Sequence, residues 1–180
     1  ICMHLSEKTL NSEQVYDGRI FKIKKDMVEL ENGKTADREV VCHSGGVCVV
    51  PLTADNNVLL VKQFRYPFLE ATVEVPAGKI NYGEDHEECG KRELLEETGM
   101  TAGEFTYLGC LYPTPAYDTE TIHMYLARNL EQHNQHLDDD EFLDVLKVPF
   151  DEVVKMVMEN KLPDAKTQIA LLRTKVLLNL

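Results

Sequence analysis

The stretch GKINYGEDHEECGKRELLEETGM, residues 78–100, limits what this chain can fold into more than any other. Asp85 to Thr98 reads as a helix, closed by Gly99 in the C-cap position. Residues three and four apart share a helix face, so Glu93, Glu96 and Glu97 project within about a 100° arc while Leu94, Leu95 and Thr98 point elsewhere. An amphipathic helix with wet acids and buried leucines accounts for part of this pattern. It does not account for the crowding. Like charges at these spacings repel by a few tenths of a kcal/mol per pair, and only Lys91 and Arg92 stand near enough to offset them. The acids also gather toward the C-terminal half, the negative end of the helix dipole. A divalent cation would turn that repulsion into ligation, and hard carboxylate oxygens are what Mg²⁺ prefers.

Around this helix, the order of elements suggests one domain with a mixed sheet between helices. At 180 residues and 43% hydrophobic content the chain can bury one substantial core. VYDGRIFKIKKDMVEL reads as two strands, ENGK as a tight turn and TADREVVCH as the returning strand, an antiparallel β-extension over residues 1–44. From residue 45 to 180, GVCVVPL and VLLVKQF are apolar strands, RYPFLEATVEVPAGKINYGE is irregular, and strands are expected near 105–111 and 121–127. A polar loop spans 129–141, FLDVLKVPF holds a short strand, and helices over 151–160 and 164–180 close the chain. No repeat or low-complexity linker interrupts the order.

A net charge of −12 excludes a broad phosphate-neutralising face, so nucleic acid is not an expected partner, and an anionic ligand needs local arginines or a metal ion. Cys2, Cys42, Cys48, Cys89 and Cys110 are scattered without zinc-type spacing, which reads as reduced structural thiols. Neither a membrane span nor a signal-peptide pattern is visible, and a soluble cytoplasmic protein is expected.

Gly78, five residues, Glu84, seven residues, Arg92-Glu93-Leu94, one residue, Glu96-Glu97, one residue, Gly99-Met100: this spacing resembles, without a mismatch, the loop–helix signature of the Nudix hydrolases. A chance match in a chain of average usage is on the order of 10⁻⁷. The resemblance implies an α/β/α sandwich with a mixed β-sheet, divalent-metal dependence and hydrolysis of a diphosphate attached to a nucleoside. On the matching positions, Glu93 and Glu97 would ligate Mg²⁺ together with the backbone carbonyl of Ala77, with Mn²⁺ as a possible substitute. Glu96 is a weaker candidate for ligand or outer shell, and Arg92 would pair with acids of the loop and helix.

VKQFRY, VEVPAGKI and LYPTPAYDTETIHMYLA, the last with Pro115 fifteen residues past Met100, look like the ADP-ribose pyrophosphatase subgroup. By that resemblance Arg65 would contact a substrate phosphate, and Arg38 would reach the adenine, often across a homodimer interface. Thr114 and Glu120 match positions near the sugar-phosphate end. The attacking water needs a base, and the family places it in a late loop, here NLEQHNQHLDDDEFLDV. Glu141 and Asp139 are both candidates, with Glu141 also a possible metal ligand. His133 and His136, in so polar a loop, read as solvent-exposed. The implied reaction is Mg²⁺-dependent cleavage of ADP-ribose to AMP and ribose 5-phosphate; the alternatives are another nucleoside diphosphate sugar such as GDP-mannose, and a non-catalytic nucleotide-sensing module.

Overall fold

The computed structural model describes residues 5–137 and 141–180, and its contacts divide the chain into two compact units. The first comprises the described part of Ile1–Gly45 together with Tyr112–Glu120. Its strands β1 (Lys8–Asp17), β2 (Lys22–Glu29) and β3 (Thr35–Cys42) form one antiparallel sheet in that order. The expected ENGK turn is present: Gly33 donates to the Leu30 carbonyl at 2.9 Å with φ 76°, the left-handed region a glycine enters without steric cost. The segment 112–120 lies along β3, where Val41 donates to the Tyr117 carbonyl at 2.7 Å and accepts from Thr119 N–H at 3.0 Å.

The second unit holds β4 (Gly46–Pro51), β5 (Asn57–Arg65), a single 3-10 turn (Tyr66–Phe68), β6 (Glu70–Glu74), β7 (Ala77–Lys79), α1 (His86–Thr98), β8 (Met100–Leu111), β9 (Ile122–Gln132), β10 (Leu143–Pro149), α2 (Phe150–Met158) and α3 (Ala165–Leu178). Its strands form a four-stranded mixed sheet, β7-β4-β9-β8, and a three-stranded antiparallel sheet, β10-β5-β6. The mixed sheet is parallel only where β4 meets β9.

Every residue of β4 is buried, which its unbroken apolar run requires. Alternate side chains serve opposite faces: Val47 and Val49 pack with Cys89 and Leu94 of α1, while Cys48 and Val50 join Val153 of α2 and Ala170 and Leu171 of α3. Helices therefore cover both faces of the mixed sheet, the expected α/β/α sandwich. No helix among the described residues is long and apolar enough to cross a membrane, and the four described cysteines are free.

Two expectations are corrected. The stretch taken as irregular contains β6 and β7, whose short runs carry no strong alternation but pair with β5 and β4. The strands β8 and β9 are longer than their apolar cores, running as a ladder from Met100↔Gln132 to Leu111↔Ile122. Cross-strand hydrogen bonding carries them through polar residues that propensity reads as loop.

Candidate active site

Local chemistry builds α1 as the sequence suggests. Asp85 caps it by accepting from Glu87 N–H at 2.8 Å, and Gly99 ends it at φ 69° with its N–H on the Leu95 carbonyl. The acids do not all lie in solvent. Glu93 and Glu97 are 8% and 2% exposed, because α1 lays this face against β7 instead of turning it outward. Gly78 makes that approach possible: a Cβ there would sit 2.0 Å from the Glu93 carboxyl.

Arg92 organises the remaining charge. It donates to Glu84 at 2.8 and 3.1 Å, to Glu93 at 2.6 Å and to Glu96 at 2.8 Å. Its hydrogen bond holds Glu84 at about pKa 2, against a smaller penalty from burial. Lys91 instead pairs with Glu87 and Glu88 on the outer side. Sequence proximity alone would not have separated these two cations; the burial of one face does.

Glu97 accepts from the Ala77 N–H at 3.0 Å. Burial pushes its carboxyl up to about 8; Glu93 and Glu141 push the same way, while the Ala77 N–H and Arg65 oppose them. Glu93 is also raised, chiefly by burial, with Arg92 opposing and Glu96 and Glu141 adding. Glu141, itself exposed just before β10, is thus within electrostatic reach of both buried acids. Among the described residues no three metal-ligating side chains converge into a finished coordination shell. The carboxylates repel one another, and each buried one is held by a donor, Arg92 on Glu93 and Ala77 on Glu97. Two buried carboxylates with a third nearby, raised chiefly by burial and further by one another's charge, beside a close-approaching backbone, fit a hard divalent cation by donor type.

The polar loop after β9 has a task that its composition concealed. His133 N–H donates to the Gly99 carbonyl at 2.6 Å, Gln135 Nε2 to the Glu97 carbonyl at 2.5 Å and His136 N–H to the Glu96 carbonyl at 3.1 Å. These donors satisfy carbonyls at the C-terminus of α1, where acids already load the negative end of the dipole. Both histidine side chains are exposed, as expected. Asp139 lies outside the described residues.

Arg65, at the end of β5, is engaged edge-on by Glu74, with Nε and Nη2 donating at 2.7 and 2.6 Å. Sequence reasoning missed Glu74; its signal was a carboxylate set between Val73 and Val75 at the end of β6. Arg38, Thr114 and Glu120 belong to the first unit. There Arg38 pairs with Glu7, the Thr114 carbonyl accepts from Asp118 N–H at 3.0 Å, and Glu120 stands 3.4 Å from His43 Nδ1.

A helix-flanked mixed sheet that sets a glycine loop against buried helix carboxylates defines a loop–helix hydrolase architecture. Residues 43–172 match the NUDIX domain, and residues 7–41 match the nucleoside diphosphate sugar hydrolase N-terminal domain. The chain belongs to the Nudix hydrolase family. It is 40% identical over 166 residues to the methanol dehydrogenase activator of Bacillus methanolicus, covering 91% of this chain and 90% of that relative. To the ADP-ribose pyrophosphatase of Bacillus subtilis (strain 168) it is 40% identical over 169 residues, covering 93% and 91%. The crystal structure of an ADP compounds hydrolase superposes with a TM-score of 0.87 at 24% identity, covering 97% of this chain and 95% of the other, a likeness of fold.

Proposed function

We propose that this chain is a pyrophosphatase that hydrolyses ADP-ribose to AMP and ribose 5-phosphate, with Mg²⁺ as its cation and Mn²⁺ as a substitute. The observation that carries the reading is the pair of buried carboxylates, Glu93 packed against Gly78 and Glu97 on the Ala77 N–H. Burying two like charges side by side costs several kcal/mol unless a cation or proton compensates. Likeness along nearly the whole chain to a protein named ADP-ribose pyrophosphatase supports the choice of substrate.

Glu93, Glu97, Glu141 and the Ala77 carbonyl would hold the cation. When bound, it supplies neutralisation of the diphosphate and stabilisation of charge on the attacking and leaving oxygens. Arg65 binds a phosphate with the guanidinium edge turned from Glu74, and Thr114 and Glu120 contact the sugar-phosphate end. Glu141 takes a proton from water as the water oxygen bonds to phosphorus; the bridging P–O bond breaks and its electron pair stays on the departing phosphate. Asp139 is the alternative base. Arg38 reaches the adenine from a second copy of the chain in a cytoplasmic homodimer, and no nucleic acid or membrane takes part.

The test is a side-by-side assay of ADP-ribose and GDP-mannose with Mg²⁺, reading products by chromatography. AMP and ribose 5-phosphate in equal amounts, formed with the higher kcat/KM from ADP-ribose and abolished by chelation, are expected. A higher kcat/KM for GDP-mannose overturns the substrate, and no turnover of either overturns the enzyme.

A further inference from the structure

We propose that Lys166 is a positioning residue for Arg65, acting through Glu74, so that the first turn of α3 aims the phosphate-binding arginine. The inference rests on the phosphate-contact reading of Arg65. Its basis is a cluster that joins segments 92 residues apart. Glu74 is 3% exposed and accepts from four donors: Arg65 Nε at 2.7 Å, Arg65 Nη2 at 2.6 Å, Thr72 Oγ1 at 2.6 Å, and Lys166 Nζ. A carboxylate offers about four lone-pair sites. The plane of Glu74 is therefore fixed from every side, and with it the plane of the guanidinium that it grips by two parallel bonds.

Lys166 is itself held. Its ammonium reaches Asp164 Oδ1 at 3.0 Å, and Asp164 caps α3 by accepting from Thr167 N–H at 2.9 Å. The next side chain, Thr167, accepts from Val75 N–H at 3.0 Å, which pins the backbone beside Glu74. Burial works against charge on Lys166, but Asp164 and Glu74 overcome it and hold the ammonium above its ordinary value. Arg65 in turn lies within electrostatic reach of Glu97. The chain Lys166, Glu74, Arg65 thus leads from the C-terminal helix to the carboxylate site. Its own cavity, about 360 Å³, does not suit a separate anion: Arg65 and Lys166 are outnumbered there by Glu70, Glu74 and Asp164.

A double-mutant cycle on the Mg²⁺-supplemented enzyme with ADP-ribose tests this. Lys166→Met is expected to lower kcat/KM about 10- to 100-fold, the usual cost of losing an outer-shell partner, with most of the loss in kcat. Lys166→Arg, which keeps a donor for Glu74, recovers most of it. In the Arg65→Ala background, Lys166→Met costs less than about twofold. Should Lys166→Met fail to fold by circular dichroism, Glu74→Gln/Lys166→Met removes both buried charges together and is compared with Glu74→Gln. Equal kcat/KM is expected, because Arg65 has already lost its anchor. A costly Arg65→Ala with an additive Lys166→Met overturns the proposal alone and makes Lys166 a direct ligand or a fold support, as does a further drop in the Glu74→Gln pair. Arg65→Ala with wild-type kinetics overturns the reading of Arg65 and this proposal together.

Discussion

Glu97 concentrates the conflict between folding and function, since a 2% exposed carboxyl pushed up to about 8 is tolerated only for a purpose. Its folded value lies above the unfolded value of about 4.3. Glu97 therefore favours the metal-free fold fully below the unfolded value, and that contribution is lost as pH rises through about 8. A cation removes the penalty, so the gap in thermal unfolding between Mg²⁺-loaded and chelated protein is expected to widen from about pH 5 to about pH 8. Glu97→Gln keeps an oxygen for the Ala77 N–H and discards the charge. It is expected to raise the chelated Tm at the upper end, flatten the widening, and cut kcat by more than the ~10–100-fold that an outer-shell loss costs. A chelated Tm that leaves the pH trend unchanged in Glu97→Gln assigns the trend elsewhere. Glu141 carries a separate expectation. Exposed yet felt by both buried acids, it is the proposed base: Glu141→Gln is expected to lose about 10²- to 10⁴-fold in kcat with little change in KM, and Asp139→Asn less. Parallel steady-state kinetics with the larger loss in Asp139→Asn reverse the assignment.

The loop–helix element contains two glycines whose alanine variants fail in opposite ways. Neither Gly78 nor Gly90 has positive φ, so what each supplies is space. At Gly78 the new Cβ meets the movable end of Glu93 at 2.0 Å; at Gly90 it meets Val47 Cγ1 at 2.9 Å and Phe105 Cζ at 3.1 Å in a packed core. Gly78→Ala is therefore expected to keep its Tm within a few degrees and lose turnover. Gly90→Ala costs about 1–3 kcal/mol of overpacking, enough to outweigh a helix-propensity gain of about 1 kcal/mol. Kinetics and calorimetry on both variants separate the effects, and matching profiles would sink the distinction. The same element shows why part of the site was legible. Gly78, Glu84, Arg92, Glu93 and Glu97 act on neighbours within one loop and helix, so their spacing in the chain records their spacing in three dimensions. Glu74 and Lys166 meet across 92 residues, and no local period registers such a pair. Likewise β4 was legible from its apolar run, whereas β6 and β7 owe their existence to partners elsewhere in the chain. The burial of Glu93 and Glu97 was not legible either, because amphipathic logic assigns acids to water and only the closeness of β7 overrides it.

At the scale of the molecule, the first unit poses the remaining question. All ten residues of β1 are exposed, with Leu10, Val15, Tyr16 and Ile20 of this region each at least 45% exposed. A strand with apolar residues that is an edge of its sheet among the described residues calls for something to cover it, and a second copy of the same chain is the commonest answer. Sedimentation at micromolar concentration is expected to show a dimer, and Val15→Asp with Ile20→Asp to shift it toward monomer. A dimer alone would not establish that active sites are shared, which is what the proposed role of Arg38 requires. Complementation does. Arg38→Ala and Glu97→Gln are each inactive as homodimers if both residues are needed at every site. In a co-expressed mixture about half the dimers pair one chain of each kind, and twofold symmetry then leaves one of their two sites with an intact Arg38 from one copy and an intact Glu97 from the other. The mixture is expected to recover about a quarter of wild-type kcat. If Arg38 served the carboxylates of its own chain, every heterodimer site would lack one of the two residues and nothing would be recovered. A fully active monomer would remove the shared site altogether and return Arg38 to the ion pair it makes with Glu7.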